Sequence, residues 1–161
     1  MGWLYYYARR YDRAEHHLAR AIEMNPTSEE NFRILGLVQV MAGRVDEGVA
    51  TLREATTMAG TGTLTTGTLA YALDRAGRRD EAESVRCALE ARHATEYVSA
   101  TSIATAYLAS GETARALDWI ERAHAERRGW VVYLKVNPIL DPLRDTPRFQ
   151  ELVRKLSFPP R

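Results

Sequence analysis

The residues able to do chemistry in this 161-residue chain are few and scattered: His16, His17, His93, His124 and the single cysteine, Cys87. On a helix, adjacent His16 and His17 point about 100° apart and hold one metal ion poorly. His93 falls at the end of an expected helix, where a cation also suits the dipole. Cys87 has no base in its own stretch of sequence and reads as a packed or half-exposed thiol rather than a nucleophile. The run from Gly60 to Thr68 invites comparison with a phosphate loop, because Gly62 and Gly67 have the right separation. Thr68 stands where that motif needs Lys, and no strand precedes the run. It therefore reads as a loop leading into a helix. Within that helix Gly67 should cost about 1 kcal/mol against Ala and loosen the helix start. Asp141, Arg144, Asp145 and Arg148 form the densest charged group, which reads as helix capping and local pairing. Glu81, Glu83 and Arg86 read as surface charge. No GxSxG, HExxH, kinase or dinucleotide fingerprint occurs. The expectation is a chain that is not an enzyme and carries no cofactor and no metal.

Whatever these residues do, long-range repetition positions them. Residues 8–26, 42–60, 76–94 and 110–128 align without gaps, each offset from the last by 34. Small residues Ala14, Gly48, Ala82 and Ala116 hold one register, and Gly43, Gly77 and Gly111 hold another, with Arg9 in the same slot of the first copy. Each copy reads as a helix, a short turn and a second helix. The glycines suit turns because helices commonly end on a residue with positive φ. Apolar residues then recur at helical spacing, as Ala14, Leu18, Ala21 and Ile22 or Ala116, Leu117, Ile120 and Ala123. One such pair cannot bury its apolar face alone, so neighbours must stack.

These positions resemble the tetratricopeptide repeat family. Copy two carries Phe32, Leu35 and Gly36, then Gly48, Leu52 and Ala55; copy four carries Ile103, Ala104, Tyr107, Gly111, Ala116, Ile120 and Ala123. Copy one ends as the family does, on Pro26, whereas Gly60, Ala94 and Arg128 stand there in the others, and Arg86 occupies a place the family usually fills with a large apolar residue. The resemblance implies an all-α fold: a right-handed α-α superhelix of antiparallel pairs over 1–128, with a truncated repeat at 1–26 and full repeats at 29–60, 63–94 and 97–128. The segment 129–161 would close the stack. Residues 130–136 are expected to form a short helix. Asp145 or Thr146 would cap a last helix that starts at Pro147 and has Phe149, Leu152, Val153 and Leu156 as its apolar face.

In that family the first helix of each pair lines a concave groove. The carried-over groove residues are Trp3, Tyr6 and Tyr7; Arg33, Leu37, Val40 and Met41; Tyr71, Asp74 and Arg75; and Thr101, Thr105 and Leu108. Aromatic anchors beside Arg suit a peptide or protein partner, although Leu37, Val40 and Leu108 equally suit packing between repeats. Arg33 and Leu37 occupy slots that chaperone-tail binders fill with Lys and Asn, which argues against that ligand. The run at 130–138, Trp-Val-Val-Tyr-Leu-Lys-Val-Asn-Pro, followed at 140–149 by Leu-Asp-Pro-Leu-Arg-Asp-Thr-Pro-Arg-Phe, also resembles the ending of many bacterial tetratricopeptide proteins, whose repeats often follow a kinase, an adenylate cyclase or a DNA-binding domain. It implies a scaffolding or regulatory signalling role as the alternative reading.

The first copy has only eight residues before its turn, and Trp3, Tyr5, Tyr6, Tyr7 and Tyr11 crowd that end. Either the chain is expected to be the C-terminal part of a longer array, or these aromatics favour association there, which makes a homo-oligomer through the N-terminal end a second expectation. With 22 basic and 21 acidic residues the formal charge is +1, which gives no electrostatic case for nucleic acid or an anionic membrane. No run approaches the roughly 18 apolar residues of a membrane span, and the start lacks signal-peptide character. Tyr6 stands where a myristoylation signal on Gly2 wants Ser or Thr. A lone cysteine makes a reducing cytoplasm the simplest expectation.

Overall fold

The computed structural model describes residues 1–60, 62–126 and 132–156. Ten helical elements pack against one another, and no strand occurs among the described residues. They are α1 (Gly2–Tyr7), α2 (Tyr11–Met24), α3 (Glu29–Met41), α4 (Val45–Ala59), α5 (Thr63–Arg75), α6 (Arg79–Thr95), α7 (Ala100–Tyr107), α8 (Thr113–Ala125), a 3-10 helix (Pro138–Leu143) and α9 (Pro147–Lys155). From α1 to α8 each helix packs on its chain neighbours, α9 packs on α8, and α1, α3, α5 and α7 also pack in succession to form one continuous face.

The 34-residue offset is visible in the backbone. Helices α2, α4, α6 and α8 begin at residues 11, 45, 79 and 113, each 34 after the one before. The turn before each contains a left-handed residue: Arg9 at φ 58°, Gly43 at 88°, Gly77 at 75° and Gly111 at 87°. At the first three turns the paired bonds of a Schellman ending close the helix, such as Arg44 N–H to the Gln39 carbonyl at 2.9 Å and Gly43 N–H to the Val40 carbonyl at 3.1 Å. Arg9 makes the same turn with a side chain, at a cost of roughly 1–2 kcal/mol that the glycines avoid.

Small residues set the spacing within pairs. Ala14, Ala82 and Ala116 have no exposed surface, and Gly48 is buried too. A Cβ on Gly48 would lie 2.7 Å from the Gly36 carbonyl oxygen, so α3 and α4 cross almost backbone to backbone. Gly67, expected to weaken α5, has a positive role. A Cβ there would sit 2.1 Å from the Ser102 carbonyl oxygen, so only glycine lets α5 lie this close to α7. Thr63 opens α5 directly after Gly62, and Gly60 ends α4 at φ 56°; the run between is a connection, with Thr61 outside the described residues.

One reading of surface charge is corrected. Arg86 is 4% exposed. It pairs with Asp74, whose side chain is equally enclosed, and with Glu83 at 2.9 Å, and it lies 5.5 Å from the centre of the Tyr107 ring. A guanidinium survives at an apolar repeat position because α5 supplies a carboxylate to meet it.

Thr146 caps α9 by accepting from the Phe149 N–H, with Pro147 at the first position. Phe149 and Leu152 are buried, and Arg148 reaches Glu121 and Asp118 of α8 at 2.7 Å each. The helix expected over 130–136 lies partly outside the described residues; its described part is a tight turn in which the Val136 and Asn137 amides both donate to the Tyr133 carbonyl.

Candidate functional site

The segment before α9 does more than close the last repeat. It crosses the face made by α1, α3, α5 and α7 and reaches the first helix. Tyr6 donates its hydroxyl hydrogen to Asn137 Oδ1 at 3.0 Å, across 131 residues of sequence. That same oxygen accepts the Ile139 N–H at 3.3 Å and so caps the 3-10 helix. Arg9 grips both oxygens of Asp141 at 2.7 and 2.9 Å. The Tyr7 and Tyr133 rings stack at 4.9 Å, and Trp3 meets each of them edge-on at 5.6 Å. Ile139, Leu140 and Leu143 are buried. Asp141 also binds Arg144, whose guanidinium donates to the carbonyls of Leu134, Lys135 and Asn137. The dense charged group is therefore a brace whose reach is long as well as local.

Beneath this strap a cavity of about 190 Å³ remains open. Trp3, Tyr6 and Tyr7 of α1, Glu30, Arg33, Ile34 and Leu37 of α3, Leu64 and Thr68 of α5, and Thr105 of α7 line it, with Tyr133, Asn137 and Ile139 on the strap side. Pockets that enclose a cofactor usually run to about 300–1,000 Å³, so this space suits a side chain better than a free small molecule. A wider depression of about 500 Å³ continues along the same face past Arg33, over the starts of α5 and α7.

The electrostatics suit recognition. Burial pushes the Tyr6 phenol well above its ordinary value, and burial with the neighbouring Tyr133 raises Tyr7 to about 12. Both hydroxyls therefore stay neutral donors. Arg33 joins the two depressions with its side chain 15% exposed, and its ion contacts are long, 3.9 Å to Glu29 and 3.9 Å to Glu30. Burial holds the Glu29 carboxyl above its ordinary value against the pull of Arg33.

The expected groove residues divide. Trp3, Tyr6, Tyr7, Arg33, Leu37 and Thr105 meet at the cavity, and Thr101 lines the wider depression. Tyr71 is buried, with its hydroxyl 3.5 Å from Met41 Sδ and accepting from Arg75 at 3.0 Å. These three form a neighbouring cluster. Asp74 is committed to Arg86 and offers a ligand nothing. Val40 has no exposed surface and packs in the core, as does Leu108. Tyr133, Asn137 and Asp141 are the residues that reading by repeat position misses, because they lie outside every repeat. Their sequence signals were the aromatic crowding at the first copy, much of it paired inside the molecule, and the charged group around Asp141.

Among the described residues no three His, Cys, Asp or Glu side chains converge on a point that would hold a metal. His17 stacks on Tyr5 and His93 meets Trp119 edge-on. Cys87 is exposed, and the Glu83 carboxylate accepting its S–H holds the thiol above its ordinary value, which disfavours the nucleophilic thiolate. No described helix is long and apolar enough to cross a membrane. No family model matches the chain, and no curated protein matches it.

Proposed function

We propose that the chain is a tetratricopeptide-type right-handed superhelix whose first-helix face binds a peptide or protein partner, and that it acts by binding rather than catalysis. The 34-residue recurrence of left-handed turns and second-helix starts supports the repeat assignment. The observation that carries the binding reading is the half-open cavity under the strap. It is walled by aromatic rings, edged by a loosely paired guanidinium and sized for one anchoring side chain. Panning a peptide display library on the full chain tests it. Selected peptides should lose at least about tenfold in affinity on Trp3→Ala or Arg33→Glu, a loss on the scale of one interface hot spot. Failure to enrich any sequence, or affinities that ignore both substitutions, would count against the reading.

Association through the first-repeat end is a second reading, favoured by one observation. Met1 and Met24, 71% and 87% exposed, line a depression together with Gly2 and Leu18, and Leu4 on the same helix as Gly2 is 54% exposed. A concentration-independent monomer mass would remove it.

A further inference from the structure

We infer that the strap is a built-in pseudo-ligand: the partner recognised by the first-helix face is a peptide with the strap's own pattern. That pattern is an aromatic residue, then Asn-Pro four positions on, two aliphatic residues and an Asp. The inference rests on the binding reading above and gives the partner a chemistry.

Four features of the docked segment carry it. Beside Leu134, Ile139, Leu140 and Leu143, which are buried in the common core, its polar and ring contacts with the first repeat are side-chain-specific: a hydroxyl-to-amide bond from Tyr6 to Asn137, one guanidinium nitrogen of Arg9 meeting both oxygens of Asp141, and a ring stack of Tyr7 on Tyr133. Every backbone hydrogen bond of residues 132–156 among the described residues is local, so side chains alone tie the segment to α1. The Arg9–Asp141 pair is also 46% and 41% exposed, a contact that water and salt can compete for. A short 3-10 turn capped by its own Asn brings its shape with it, and a preformed ligand loses little entropy on docking. The tethered copy occupies the seat by proximity, so an external peptide must outcompete a high local concentration.

The test uses a labelled peptide of residues 132–143, VYLKVNPILDPL, and fluorescence anisotropy with the full chain. In the chain carrying Tyr133→Ala and Asp141→Ala the strap is weakened and the seat intact. The peptide should bind it at least about tenfold more tightly than the unaltered chain, the difference being relief from tethered competition. Adding Arg9→Glu to that chain should abolish the gain. Equal affinity for both chains, or a gain that survives Arg9→Glu, overturns the inference. If the doubly substituted chain loses its helical circular dichroism, hydrogen exchange on the unaltered chain decides. Excess peptide should speed exchange at the Val136, Asn137, Leu140 and Arg144 amides and leave α3 and α5 unchanged; no change in the strap overturns the inference. Library selection separates the two claims. Enrichment of an unrelated pattern on the same face sinks the pseudo-ligand and leaves the binding reading standing, whereas no enrichment removes the reading itself.

Discussion

Of the arginine–aspartate pairs in this molecule, two that join distant parts of the chain are made differently. Arg86 and Asp74 sit inside the repeat stack with side chains 5% and 3% exposed. Arg9 and Asp141 join the first turn to the strap at 46% and 41% exposure. Inside, each charge has given up water and depends on its partner. At the surface, each has water as an alternative. The pair inside the stack is thus committed, whereas the outer pair of the strap, beside its buried Ile139, Leu140 and Leu143, is one that water can exchange.

The largest effect should come from the inner pair. Arg86→Ala leaves Asp74 buried and unpaired and should lower unfolding free energy by about 3–5 kcal/mol in urea titration. Replacing both partners by Leu should recover most of it, since an apolar pair avoids both desolvation penalties. Next comes the close approach of α5 and α7. Gly67→Ala should destabilise by about 1–3 kcal/mol, against the gain that helix propensity alone would give, because the methyl group collides with the Ser102 carbonyl. A stabilised variant would show that the helices separate at no cost.

The turns sharpen the comparison further. Gly77→Ala should cost about 1–2 kcal/mol through its left-handed backbone. Arg9→Gly should stay within about 1 kcal/mol of neutral, because relief of the φ 58° conformation offsets a surface pair worth no more than that. Thermal melts of the two variants side by side would show whether the asymmetry holds.

The smallest effect carries a pH signature. Burial alone would raise the Asp141 carboxyl, but its bonds to Arg144 and Arg9 outweigh burial and hold it below its ordinary value. Its contribution is therefore full above the unfolded carboxylate value near about 3.9 and is lost as pH falls through the lower folded value. Asp74 runs the other way. Burial raises it more than Arg86 lowers it, so the folded state takes up that proton more readily than the unfolded chain does. Asp141→Asn should cost at most about 1 kcal/mol at neutral pH, and the difference from the unaltered chain should fade in strong acid. A difference that grows with acidification would contradict the assigned pairing.

How much of this was legible follows from distance along the chain. Turn positions, second-helix starts and buried small residues recur within 34-residue windows, and Gly43, Gly77 and Gly111 mark them openly. Even Arg9 could be placed by its slot. Arg86 could not, because its deciding partner Asp74 lies on another helix, while the neighbours that suggested surface charge lie on its own. Gly67 could not, since its reason is the Ser102 carbonyl 35 residues away (102−67). The strap was hidden for the same cause at greater range. Nothing local to Tyr6 or Asn137 announces a bond spanning 131 residues. A periodic pattern reports which face of a helix is buried, and it is silent on which remote segment covers that face.

The central claim is that the C-terminal segment lies across the first-helix face and docks on α1. Nuclear Overhauser contacts between ring protons of Tyr7 and Tyr133 in the full chain test it most directly. The structure predicts strong cross-peaks, with ring centres 4.9 Å apart, alongside those between His93 and Trp119 within the stack at 5.1 Å. Cross-peaks for His93 and Trp119 without any between Tyr7 and Tyr133 would leave the stack in place and contradict the strap.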